Sequence, residues 1–250
     1  MNLEDLRGWI ALVQFLTRRT LLNRRMLIAV ACALLLTALV AYAVAEDMTG
    51  LDDLAGILDI FVLSFFLLVI PMIYGSSILR SDLEDRSITM ILTSPLNRPM
   101  VYLGYRAALF ICVAVAMLII TSAGALTFFS LAGVETGAID IYVKVCFLAL
   151  IGSIVYSSLY LTVSLVTKRV IYFGLFYAFI WEGFVGLLPG GIGDFTIRHY
   201  VRSIGSHWIE HGGLGSYQGA DLLYSFLVLA GTAAVLVALG SYMLHVKEIE

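Results

Sequence analysis

The chain has 250 residues, of which 61% are hydrophobic and only 13% charged, with a formal net charge of −3. Soluble domains carry roughly 25% charged residues, so this depletion excludes an ordinary soluble enzyme. The small net charge names no partner by itself, and nothing in it calls for nucleic acid.

Residues 3–21 read as an amphipathic helix. Leu6, Trp9, Ile10, Val13 and Leu16 recur at helical spacing, with Arg7, Gln14 and Arg18 falling elsewhere. Trp suits the headgroup level, and the arginines that follow suit an anionic lipid surface. Membrane lipid is therefore an expected partner. Two readings stand: a plain N-terminal anchor, and a shaped elbow feeding the first span.

Six apolar runs follow. Met26–Ala45, Ile60–Leu79, Ala107–Val134, Val145–Thr167 and Leu222–Leu244 contain no Asp, Glu, Lys or Arg; Val170–Leu188 contains one acid, Glu182. A spanning helix needs roughly 20 apolar residues. Hydrocarbon leaves backbone groups no partner outside the segment itself, which forces such runs into helices. The expected fold class is all-α: a polytopic membrane protein with six transmembrane helices. It forms a single unit over 1–250, with an interfacial helix at 1–25, spans one to five over 26–188, an outer loop at 189–221 and span six at 222–245.

Twelve of the fifteen Lys and Arg lie in the N-terminal tail, the second and fourth loops or the C-terminal tail, and only Lys144, Arg198 and Arg202 lie in the other three loops. The positive-inside bias then places both termini in the cytoplasm of a cell-membrane protein. About 25 residues, several charged, precede the first apolar run, so it reads as a retained anchor rather than a cleaved signal. Cys32, Cys112 and Cys146 all fall within apolar runs and read as small buried side chains.

The second loop, Arg80 to Arg106, carries the clearest local pattern. Ser81 followed by Glu84 is a capping box. Asp82, Glu84 and Asp85 suit a helix N-terminus, and Asp82 and Arg86 pair at i, i+4. Ile88, Ile91 and Leu92 form an apolar face, and Ser94 before Pro95 ends the run. The prediction is a short cytoplasmic helix over 82–93, with Pro99 in the first turn of the next helix. Three aliphatics on so short an aqueous loop need a cover, either the base of the bundle or a partner.

The outer loop, Pro189 to Asp221, is glycine-rich and holds two short helical stretches. Asp194 is the expected cap of Phe195–Ile204, and Ser206 that of His207–His211, stopped by Gly212. They suit re-entrant pieces at the outer mouth, or a loop packed on the bundle top.

Motifs for chemistry are sparse. No GxxxxGK[ST] phosphate loop is present, nor a GxGxxG opening a helix after a strand. His207-Trp-Ile-Glu210-His211 matches the HxxEH form of an inverted zinc-protease motif, but its helix would be one turn long. It supplies an alternative reading, a membrane-embedded zinc hydrolase; a secondary carrier or channel is another. Glu182 is the one acid well inside a predicted span. It is read either as a proton or substrate site or as a structural acid tied to neighbouring backbone. Asp59, at the outer edge of span two, is expected to reach water.

The layout and one stretch together resemble the type-two ABC transporter permeases. Glu84, Thr89, Ile91-Leu92, Pro95, Arg98 and Leu103-Gly104 stand in the places of that family's acidic residue, Thr, Leu-Leu, Pro, Ser/Arg and Leu-Gly pattern. Ser87-Ile88 replaces the usual Gly before the Thr, and Tyr105 replaces a common Lys. The resemblance implies a permease subunit, not itself an enzyme, working in transport as an exporter. It implies a second copy as a homodimer, or a close paralogue, and a separate cytoplasmic ATPase holding ATP and Mg. Residues 82–93 would be the coupling helix docking on that ATPase through Ser81, Asp82, Glu84, Asp85, Arg86, Ile88, Ile91 and Leu92. Lys168 and Arg169 would make a second cytoplasmic contact.

Overall fold

A computed structural model of the chain describes residues 3–22, 26–84, 98–167, 169–187 and 193–246. Among them every regular element is helical. In chain order these are α1 (Leu3–Leu21), α2 (Met26–Ala45), α3 (Leu51–Ile57), a π-helical segment (Leu58–Phe66), α4 (Leu67–Glu84), α5 (Arg98–Ala132) and α6 (Ala138–Val166). Then come α7 (Val170–Phe176), a second π-helical segment (Tyr177–Phe184), two 3₁₀ turns (Val185–Leu187 and Gly193–Phe195), α8 (Ile197–Trp208), α9 (Gly212–Gly215) and α10 (Leu222–Val246).

Among the described residues five helices are long and apolar enough to cross a membrane: Met26–Ala45, Leu51–Leu79, Pro99–Ala132, Ala138–Val166 and Leu222–Leu244. They read as a multi-pass membrane protein. The expected sixth, Val170–Leu188, is not among them: Val170–Phe184 is a shorter apolar helix that changes from α to π geometry at Tyr177 and passes into the 3₁₀ turn Val185–Leu187. The physical reason lies in Glu182, which the π turns deliver to the start of α8.

Span two has its own irregularity. Pro71 lies inside α4 and has no N–H to give the carbonyl of Leu67. The π turns of Leu58–Phe66 come just before that gap. The helix then runs unbroken through Ser81, Asp82 and Glu84. This corrects the capping box, because a cap needs non-helical backbone at Ser81 and no glycine or proline there stops the span. Asp85, Arg86, Ile88, Ile91 and Leu92 lie outside the described residues, as does Lys168. Pro99 does fall in the first turn of α5.

The spans are arranged around the α5–α6 hairpin, whose turn uses Gly137 at φ 104°, left-handed backbone that suits glycine. α5 packs against α1, α2, α4, α6 and α10, while α6 also carries α7 and α8. α2 and α10 keep most of their surface outside the bundle, whereas span two and α5 bury over half of theirs. On α1, Leu16 and Thr20 are buried, but Ile10 and Phe15 are exposed. Trp9 and Leu12 close over Gly104, so the Leu-Gly pair of the motif seats the N-terminal helix.

Small residues set these distances, since helices in lipid associate by close packing. A Cβ on Gly75 would lie 2.7 Å from Cβ of Tyr160 on α6, a contact that no side-chain rotation relieves. Gly56 has open space around it. Gly75→Ala is therefore expected to cost about 1–3 kcal/mol, while Gly56→Ala is neutral or stabilising by up to about 1 kcal/mol. Thermal unfolding in detergent distinguishes them; equal effects would contradict the close α4–α6 approach.

Candidate functional site

The outer loop folds into a cap built on α8. Thr196 is extended (φ −97°, ψ 142°) and its hydroxyl accepts from the His199 N–H at 3.2 Å. Thr196, not Asp194, is thus the N-cap; Asp194 falls in the preceding 3₁₀ turn. That leaves two orphan N–H groups in the first turn, as every helix start does. Both go to Glu182: Ile197 N–H donates to Oε1 and Arg198 N–H to Oε2, each at 3.1 Å. Tyr177 donates its hydroxyl to Oε1 at 2.6 Å. Glu182 is only 1% exposed. Of the two readings of this acid, the geometry fits the one that ties it to backbone: a buried carboxylate holding three donors at a positive helix end.

Asp59 makes the second attachment. It is 2% exposed rather than at the water surface, which corrects the sequence expectation. Arg202, one turn beyond Arg198, reaches it from α8 at 2.7 Å and lays its guanidinium over the Tyr217 ring, 4.6 Å from the centroid. Glu182 and Asp59, the two buried carboxylates among the described residues, both sit in π-helical segments, a geometry often found at functional sites. Burial and the like charge of Arg202 push Arg198 below the usual guanidinium range, while Asp59 and Glu182 pull it the other way. Two acids thus face two bases, and the cluster neutralises itself.

Several polar atoms in it remain without a hydrogen-bond partner among the described residues: Asp59 Oδ1, Tyr156 Oη, Tyr160 Oη and the Nε atoms of Arg198 and Arg202. Tyr156 adjoins Glu182 without hydrogen-bonding geometry. Unpaired groups at such depth are costly. The cluster suits a junction able to rearrange better than an inert plug.

The rest of the cap is fastened by close backbone approach. Gly212, at φ 63°, donates its N–H to Asp52 Oδ1 at 2.8 Å, and a Cβ there would lie 2.7 Å from the Asp52 carbonyl oxygen. His199 Nδ1 lies 2.7 Å from the Tyr217 hydroxyl. Burial holds that imidazole below its usual range, against the pull of Asp194. A cavity of about 360 Å³, with Tyr177, Tyr200, Tyr224, Leu229 and Thr232 in its lining, separates the start of α8 from α10.

The zinc motif does not survive folding. α8 includes Ser206 and His207 but ends at Trp208, and Ile209 is extended (φ −120°, ψ 113°). The short helix expected over His207–His211 is instead Gly212–Gly215. The i, i+4 register of the two histidines is lost. His207 Nδ1 turns back to the Ser203 carbonyl at 2.8 Å, and His211 Nδ1 faces Asp52 at 3.3 Å. Among the described residues no group of three His, Cys, Asp or Glu is placed to hold a metal ion. The backbone of Glu210 lies against Gly215.

Arg169 precedes α7 with φ −110° and ψ 54°. Ser81, Asp82 and Glu84 form the end of α4. Sequence reading missed Asp59, Arg198 and Arg202 as one unit. A signal existed: two of the three basic residues in the outer loops stand four apart on one short helix, with two membrane-depth acids elsewhere to receive them. Comparison with known protein families finds none that matches the chain, and comparison with curated proteins also finds no match.

Proposed function

We propose that the chain is the permease subunit of an ATP-driven transporter, working as an exporter. In this reading it sits in the cell membrane with both termini in the cytoplasm. ATP and Mg belong to a separate cytoplasmic ATPase, and a second copy or a close paralogue completes the pore. Val170–Leu187 is then the fifth crossing, shortened and π-kinked, which gives six in all.

The observation that carries this reading is the attachment of α8. An amphipathic outer helix stands between the fifth and sixth apolar segments and is fastened to both the fifth segment and span two by buried polar bonds. Span two is also the helix that continues to Glu84 at its other end. One continuous helical run thus links the segment expected to meet the ATPase with the segment that closes the outer mouth. Transmission of this kind needs an element with two packed arrangements. The Asp59–Arg202 junction, with unpaired atoms beside it, supplies a place for one to give way to another.

Co-purification tests the reading. A cytoplasmic ATPase is expected to purify with the wild-type chain and to be lost, by about tenfold or more, from the double variant Ile88→Asp/Leu92→Asp. An ATPase that stays bound to that variant removes residues 82–93 as the docking element.

A further inference from the structure

We infer that the groove between α1, α5 and α6 is a binding site for one anionic phospholipid, with its phosphate on Arg106. The groove has a volume of about 370 Å³ and is lined by Trp9, Leu103, Arg106, Ala107, Phe110 and Ile154. Arg106 is the only charged residue among the described residues of that lining, and the rest of them form an apolar wall with one tryptophan.

Three observations choose the occupant. The first is the state of the guanidinium. Arg106 Nε donates to Ser158 Oγ at 2.8 Å, and that hydroxyl in turn donates to the Ile154 carbonyl at 2.8 Å. This bond fixes the plane of the group and leaves both terminal amines without a hydrogen-bond partner among the described residues. No carboxylate among the described residues pairs with it. A fixed, uncompensated guanidinium with two free donors fits phosphate geometry.

The second is depth. Pro99–Ala132 has 34 residues, or about 51 Å of helix, against roughly 30 Å of hydrocarbon. Shared between the two ends, the excess leaves about 10 Å of helix outside the hydrocarbon on each side. Arg106 lies seven residues from Pro99, also about 10 Å. It stands at the hydrocarbon boundary, where lipid phosphates are.

The third is the surrounding wall. Leu103 and Ile154 are partly exposed beside Arg106. Trp9, a residue type that favours the headgroup level, is held against Gly104 at one edge. A free anion would gain nothing from these apolar surfaces, whereas an acyl chain lies along them. Arg7, Arg18 and Arg19 lie on α1, the helix that carries Trp9. Basic pockets between membrane helices take anionic headgroups for the same electrostatic reason. The inference does not rest on the transport reading.

Native mass spectrometry of the purified chain, titrated with phosphatidylglycerol or phosphatidylcholine, tests it. The wild type is expected to bind one phosphatidylglycerol about fivefold more tightly than phosphatidylcholine. Arg106→Gln is expected to remove the preference. Ile154→Trp, which fills the wall and leaves Arg106 in place, is expected to weaken phosphatidylglycerol binding. Should Arg106→Gln not purify as a monodisperse protein, the Ile154→Trp result decides. Equal binding of the two lipids by the wild type, a preference unchanged by Arg106→Gln, or full binding by Ile154→Trp would each overturn the proposal. Displacement of the lipid by inorganic phosphate would reassign the groove to a free anion.

Discussion

Glu182→Ala is expected to destabilise the protein by about 3–5 kcal/mol, the scale for removing one partner from a buried charged network. The carboxylate accepts from Tyr177, Ile197 and Arg198. Its removal strands all three donors, each at about 1–3 kcal/mol if left unpaired. Relaxation of the outer loop keeps the total below their sum. Glu182→Gln separates the cap from mere volume. The amide keeps one accepting oxygen, but its NH₂ faces a backbone N–H and cannot accept from it. About half the alanine effect is expected. Thermal unfolding in detergent measures the stability, and amide exchange at Ile197 and Arg198 reports the loss locally. A glutamine variant as stable as wild type, with unchanged exchange there, would show that the two N–H bonds do not matter.

The Asp59–Arg202 pair gives the second large effect, and its sign is asymmetric. Arg202→Met leaves an almost fully buried carboxylate without its cation. Asp59→Asn leaves a guanidinium that is 20% exposed and still rests on the Tyr217 ring. Arg202→Met is therefore expected to cost about 3–5 kcal/mol and Asp59→Asn roughly half that. The double variant Asp59→Asn/Arg202→Met removes both charges, so it is expected to be more stable than Arg202→Met alone. A coupling of about 1–3 kcal/mol should appear in the double-mutant cycle. Additive losses would mean the pair contributes no mutual energy, and α8 would then be held to span two by packing alone.

The long spans were legible because hydrocarbon allows only one backbone solution, and Met26–Ala45 and Leu222–Leu244 match the apolar runs residue for residue. Their extensions were less legible. Span two starts nine residues earlier than its unbroken apolar run, because Asp52, Asp53 and Asp59 interrupt the pattern while the helix continues through them. Composition counts such acids against a span, whereas Asp52 and Asp59 are absorbed by Gly212 and Arg202, 160 and 143 residues away. The same non-local pairing explains the cap. Asp194 and Ser206 look like N-caps in isolation, yet Thr196 is used because Glu182 fixes where α8 begins. The capping box at Ser81 failed for the opposite reason: a local signal is silent when the preceding helix does not stop. The π turns had no signature of their own beyond Pro71. Glu182 was conspicuous as a lone acid in an apolar run, but its partners are backbone N–H groups, which side-chain patterns do not display.

In the proposed transporter the driving segment and the outer cap lie on opposite faces of the membrane, which requires Val170–Leu187 to cross. Labelling with a membrane-impermeant maleimide tests this in a background free of Cys32, Cys112 and Cys146. Ser216→Cys, on the exposed cap, is expected to label in intact cells, and Ile91→Cys only after the membrane is opened. Between these positions lie α5, α6 and the Val170–Leu187 segment, so three crossings put them on opposite sides and two put them on the same side. Labelling of both cysteines in intact cells, or of neither, would contradict the six-span arrangement and the transport reading built on it.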